Sequence, residues 1–119
     1  MDTSTVLYVD DEENNCFLFE KLFESRYNVI TALSGPDALK KMENNNSIDI
    51  VISDMRMPGM SGIEFIRIAR ESRANINYFI LTGFEFNDDI ERAINENIIN
   101  GYFTKPIQIP EIEEAISQN

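Results

Sequence analysis

Five short apolar segments alternate along the chain with five segments of helical periodicity. The apolar ones are TVLYV (5–9), YNVITA (27–32), IDIVIS (48–53), NYFIL (77–81) and GYFT (101–104), all rich in β-branched and aromatic residues. Between them, apolar side chains recur every three or four positions. Cys16, Phe19, Leu22 and Phe23 share one face, as do Ala38, Leu39 and Met42 in the next segment. Phe65, Ile66 and Ala69 follow, then Ile90, Ala93 and Ile94, and last Ile109, Ile112, Ala115 and Ile116. The start signals agree with these helices. Ser34 suits a cap with Pro36 in the first turn, and Ser61 and Glu64 have the spacing of a capping box. ENNNS at 43–47 reads as a polar turn. Five βα units in a row predict an α/β domain with a parallel sheet covered on both faces. IDIVIS, apolar without strict alternation, is predicted to be a central strand.

Composition narrows what such a domain can do. A chain of 119 residues predicts one domain, 1–119, large enough to bury a core. Its formal charge of −11 would repel a nucleic-acid backbone and favours basic or metal partners. No apolar stretch approaches membrane-spanning length and no signal-peptide pattern opens the chain, so a cytoplasmic location without a membrane partner is expected. The single cysteine, Cys16, lies among apolar residues and is expected to be a buried thiol. Histidine is absent, which removes His-based acid–base catalysis and most transition-metal sites.

The polar residues at the strand ends carry the candidate chemistry. In an open α/β sheet, ligands bind beyond the carboxyl ends of the strands. Asp10 and Asp11 close the first strand and Asp54 the third, Thr82 follows the fourth, and Lys105 the fifth. Right-handed crossovers bring these ends to one edge. Taken singly, each residue fits an ordinary helix cap, a loop hydroxyl or a solvated lysine. Together, three carboxylates would repel one another unless a cation lay among them. Hard oxygen ligands without His or Cys point to Mg²⁺, and lysine supplies a point charge for a phosphoryl group.

The stretches YVDDE (8–12), SDMRMPGMSG (53–62), LTG (81–83) and FTKP (103–106) resemble the receiver domain of bacterial two-component response regulators, in order and over essentially the whole chain. The resemblance implies a flavodoxin-like (βα)5 three-layer sandwich whose five-stranded parallel sheet has the order 2-1-3-4-5. It implies that Asp54 is the phosphoacceptor, that Thr82 hydrogen-bonds the phosphoryl group and that Lys105 neutralises it. Mg²⁺ would be held by Asp11, Asp54 and the backbone carbonyl of Arg56, with Asp10 acting mostly through water. A cis peptide between Lys105 and Pro106 is also implied.

Function and partners follow as expectations. The domain would take a phosphoryl group from a histidine kinase or phosphotransfer protein, whose histidine must belong to another chain or domain. It would promote its own phosphotransfer and dephosphorylation without being a dedicated enzyme. Tyr102 matches the family's aromatic switch position, although a half-buried packing role fits it too. Phosphorylation would then alter the face built by the fourth helix, fifth strand and fifth helix, controlling an output domain, an effector protein or a homodimer. Phe84 and Phe86 are either partner contacts or helix cover. An aspartate-nucleophile phosphohydrolase usually carries a second acid two residues after the nucleophile, where Arg56 stands here. A phosphorylation-silent interaction module would be expected to lack some of the acids, the threonine or the lysine, and all are present.

Overall fold

The computed structural model describes residues 4–83 and 87–118. Strands β1 (Thr5–Val9), β2 (Asn28–Ala32), β3 (Ile48–Asp54), β4 (Asn77–Thr82) and β5 (Gly101–Thr104) alternate with helices α1 (Glu13–Phe23), α2 (Gly35–Glu43), α3 (Gly62–Ser72), α4 (Asp88–Asn95) and α5 (Ile109–Ser117). All pairings are parallel and the strand order is β2-β1-β3-β4-β5, the flavodoxin-like arrangement expected, with β3 at the centre. Each predicted strand lies within one residue of the observed one. Tyr27 drops out of β2 because its amide donates to the Phe23 carbonyl at the end of α1.

The sheet is apolar on both faces because helices cover both. Val6, Tyr8, Ile50, Ile52 and Leu81 pack with Cys16, Phe19 and Phe23 of α1 and with Ile112 and Ile116 of α5. Leu7, Val9, Val51 and Ile80 pack against Ala38 and Met42 of α2, Phe65, Ile66 and Ala69 of α3, and Ile90 and Ala93 of α4. Successive strand residues point to opposite faces, so adjacent apolar residues enter different cores. Leu22, Leu39, Ile94 and Ile109 lie half-buried at the margins. Burying each large apolar side chain contributes roughly 1.5–3 kcal/mol, which offsets the chain entropy lost on folding. Among the described residues no helix is long and apolar enough to cross a membrane.

Local signals set the helix starts. Ser34 Oγ accepts from the Asp37 amide at 3.1 Å. At α3 the capping box is complete: Ser61 Oγ accepts from the Glu64 amide at 3.1 Å, and Glu64 accepts from the Ser61 amide at 2.9 Å. The turn between β3 and α3 needs the left-handed backbone that Gly59 supplies, with φ of 82°. Gly62 then brings the start of α3 against the end of β3. Its amide donates to the Met55 carbonyl at 2.9 Å, and a Cβ there would lie 2.2 Å from the Asp54 carbonyl oxygen.

Ala normally favours a helix over Gly by about 1 kcal/mol, but here the clash with backbone prevails. Gly62→Ala is expected to destabilise the chain by about 1–3 kcal/mol, read from the midpoint of urea unfolding. A midpoint equal to or above that of the parent chain would contradict the close approach.

Candidate functional site

The carboxyl ends of the parallel strands meet at one edge of the sheet. Asp10 directly follows β1, Asp54 is the last residue of β3, Thr82 the last of β4, and Lys105 directly follows β5. One carboxylate oxygen from each of Asp10, Asp11 and Asp54 lies within 4.8 Å of the other two. Lys105 Nζ reaches in to 3.2 Å from Asp54 Oδ1 and 3.9 Å from Asp10 Oδ2. The predicted acids and lysine are therefore in one cluster.

Asp54, Thr82 and Lys105 are tied to the backbone around them. Asp54 is 9% exposed, its Oδ1 accepts from the Met55 amide at 3.0 Å, and its carbonyl accepts from Ser53 Oγ at 2.9 Å. Thr82 is buried, and its carbonyl accepts from the Lys105 amide at 2.7 Å, tying the base of the lysine to the end of β4. The Lys105–Pro106 peptide is cis. Asp11 is exposed at the rim of the cluster, and Arg56 is exposed two residues beyond Asp54. Tyr102 is half-buried against the core of the α2, α3 and α4 face. Phe84 and Phe86 lie outside the described residues.

Electrostatics follow from this crowding. Burial pushes the Asp54 carboxyl above its ordinary pKa, and the charge of Asp10 pushes it further. The Lys105 ammonium and the Met55 amide pull the other way without offsetting the rise. Burial, then Asp10, raises the Cys16 thiol to about 11, so this cysteine stays protonated, as its expected buried state requires. The donor set suits a hard divalent cation: three carboxylates, no imidazole and no thiolate, one of the acids open to solvent.

Two polar residues of the cluster are not apparent from strand-end placement. Tyr8, fully buried, donates its hydroxyl to Asp10 Oδ2 at 2.8 Å, and Asn15 Nδ2 donates to the same oxygen at 3.2 Å. Burial, with the charge and hydrogen bond of Asp10, holds the Tyr8 pKa far above that of a free phenol. The available signal is strand parity: extended backbone turns residues two apart the same way, and Tyr8 stands two before Asp10 at the end of β1. Asp10 Oδ1 also accepts from the Glu12 amide at 3.0 Å, but Glu12 is itself the N-cap residue of α1, whose start has no side-chain cap, so Asp10 does not act as a helix cap.

Residues 6–117 match the family model described as the response regulator receiver domain. Sporulation initiation phosphotransferase F of Bacillus subtilis is 30% identical over 114 residues, covering 95% of this chain and 90% of that protein. The hydrogenase transcriptional regulatory protein HoxA of Cupriavidus necator is 30% identical over 87% of this chain, but the match spans 21% of HoxA. A second HoxA, from Bradyrhizobium diazoefficiens, is matched over 23% of its length. Among solved structures, a response regulator receiver domain protein from Clostridium thermocellum superposes with a TM-score of 0.90 at 32% identity, covering 97% of this chain and 92% of that one. Response regulator protein TrrA from Thermotoga maritima, solved in complex with Mg²⁺-BeF, gives 0.82 at 30% identity, covering 98% of both chains.

The raised pKa of Asp54 has a definite sign in stability. A carboxyl whose folded pKa exceeds its unfolded value contributes most below the unfolded value, and that contribution is lost as pH rises through the folded value. Asp54→Asn is therefore expected to raise the thermal midpoint of the metal-free chain by a few degrees at pH 7. The gap should close as pH falls through the Asp54 pKa. A lower midpoint for the variant at pH 7 would mean that the Lys105 pairing outweighs the cost of burial and of the Asp10 charge.

Proposed function

The chain belongs to the response regulator receiver family, and on that premise we propose that it is a phosphoacceptor of two-component signalling that takes a phosphoryl group onto Asp54. The observation that carries this reading is the convergence of Asp10, Asp11, Asp54 and the Lys105 ammonium at one sheet edge. The domain is a signalling module in this reading, active in its own phosphotransfer and dephosphorylation but not a dedicated enzyme.

In the proposed reaction an Asp54 carboxylate oxygen attacks the phosphorus of a phosphohistidine on a kinase or phosphotransfer protein. The new O–P bond forms as the N–P bond breaks and the imidazole leaves. These 119 residues contain no histidine, so the donor lies outside them. In-line transfer depends on positioning and charge neutralisation. The central strand β3 holds Asp54 still, Lys105 meets the charge on the phosphoryl oxygens, and the Thr82 hydroxyl donates to one of them. Asp10, Asp11, Asp54 and the Arg56 carbonyl would hold Mg²⁺. When bound, that ion supplies further charge neutralisation for the phosphoryl oxygens. The acyl phosphate on Asp54 is hydrolytically labile, so the signal is transient.

Output follows from where Thr82 and Lys105 sit. Movement of Thr82 toward the phosphoryl group acts on the segment leading into α4, and Lys105 acts on the end of β5, with Tyr102 as the aromatic reporter between them. The α4-β5-α5 face would thus change its affinity for an output domain, an effector protein or a second receiver by about 5- to 150-fold.

Incubation with a small-molecule phosphodonor and Mg²⁺ tests this directly. One phosphoryl group per chain is expected, absent in Asp54→Ala, with Lys105→Ala slowing its formation roughly 100-fold. Continuous phosphate release without label would favour a phosphohydrolase, and no label would favour an interaction module. On the labelled chain, amide NMR shifts across residues 87–104 are expected to move. Unmoved shifts there would remove the switch and leave the acceptor role intact.

A further inference from the structure

The Asp10 carboxylate is fully buried, yet the phosphotransfer proposed above uses it only as a partner of the cation. A buried carboxylate with freedom to turn would lose much of its value, because a metal site depends on the groups that orient its ligands. The described contacts show what does the orienting. The Tyr8 hydroxyl at 2.8 Å and the Asn15 amide at 3.2 Å both meet Oδ2, while the Glu12 backbone amide meets Oδ1 at 3.0 Å. Tyr8 is itself immobilised: its ring stacks on Phe19 with centroids 4.2 Å apart and planes 5° from parallel, and Phe19 packs in turn on Phe23 at 4.6 Å. The hydroxyl is delivered from the core on a ring that has no room to swing.

We propose that Tyr8, assisted by Asn15, is a positioning residue that fixes the Asp10 carboxylate for the divalent cation. The hydroxyl and the Asn15 amide both hold Oδ2, which also lies 3.9 Å from Lys105 Nζ. The carboxylate keeps acceptor capacity for the cation or for a water on it. The two oxygens are thereby made inequivalent, and the carboxylate is held in one rotation before a cation arrives. Asn15 also donates to Glu12 at 3.1 Å, which links the start of α1 to the same network. A residue that only filled the core would need the Tyr8 ring and not its hydroxyl.

This inference rests on the proposed phosphoacceptor site, and the test separates the two. Tyr8→Phe keeps the ring and the stack and deletes the hydroxyl. Mg²⁺ alone is titrated into the parent chain, Tyr8→Phe, Asn15→Ala, Asp11→Ala and Tyr78→Phe, with binding read from amide NMR shifts. Tyr78→Phe is the control for losing a buried hydroxyl, since Tyr78 bonds the Arg73 carbonyl at 2.8 Å rather than any acid of the cluster. Tyr8→Phe is expected to weaken Mg²⁺ binding roughly tenfold and Asn15→Ala severalfold, with Tyr78→Phe unchanged. With a small-molecule phosphodonor, the half-saturating Mg²⁺ concentration should rise by the same factor in Tyr8→Phe, while the rate at saturating Mg²⁺ is retained. Parent-like Mg²⁺ affinity in Tyr8→Phe, with binding abolished in Asp11→Ala, would overturn the inference and leave the site standing. Unchanged binding in Asp11→Ala would instead remove the cation site itself. Should Tyr8→Phe fail to fold, Asn15→Ala decides: parent-like affinity there overturns the clamp.

Discussion

Repulsion among Asp10, Asp11 and Asp54, met by the Lys105 ammonium, is the interaction around which this molecule is organised. One oxygen of each acid lies within 4.8 Å of the others, with Asp10 and Asp54 buried and Asp11 exposed. At such separations two like charges cost on the order of 3–4 kcal/mol even at an effective dielectric of about 20. The Lys105 contact at 3.2 Å and the hydrogen bonds from Tyr8, Asn15, Glu12 and Met55 offset part of that cost. Burial of Asp54, with the charge of Asp10 added to it, still leaves its pKa raised. A cluster in this condition has more negative charge than its fixed donors satisfy. In the proposed function that imbalance is the source of both cation binding and sensitivity to a phosphoryl group, which adds further negative charge at the same edge.

The fold contributes by making the cluster hard to relax. β3 is the middle strand, packed on both faces, so Asp54 cannot retreat without disturbing both cores. Gly62 presses α3 against the Asp54 carbonyl, and the Thr82 carbonyl holds the Lys105 amide. Rigidity falls off toward β5, which has four residues, none fully buried. α4 is likewise the shortest helix among the described elements. Elements with little buried apolar surface open most cheaply. The proposed acceptor thus stands on the stiffest element, and the proposed responding face is built partly from the least secured ones.

The architecture was legible because the physics behind it is local. Two-sided burial forces continuous apolar strands such as IDIVIS, and capping requires Ser34, Ser61 and Glu64 where they stand. Parallel connections then force Asp10, Asp54, Thr82 and Lys105 to a common edge, so much of the cluster could be placed without a three-dimensional view. Tyr8 escaped because a tyrosine in an apolar strand looks like core, and it is core. Its hydroxyl partner depends on side-chain direction and on the Phe19 stack. Asn15 escaped because its link to Asp10 crosses from helix to loop. The close approach at Gly62 depends on how near α3 packs to β3, which no residue pattern states.

Of the three clustered acids, the Asp54 carboxylate is the group proposed to accept phosphorus. Acyl phosphates are reduced by borohydride to the corresponding alcohol, which marks the modified aspartate permanently. Treating the chain with phosphodonor and Mg²⁺, trapping with borohydride and mapping the peptides by mass spectrometry identifies that residue. Homoserine is expected at position 54, with Asp10 and Asp11 unmodified. Reduction at position 10 or 11, or none in a chain that still takes up phosphate, would contradict it.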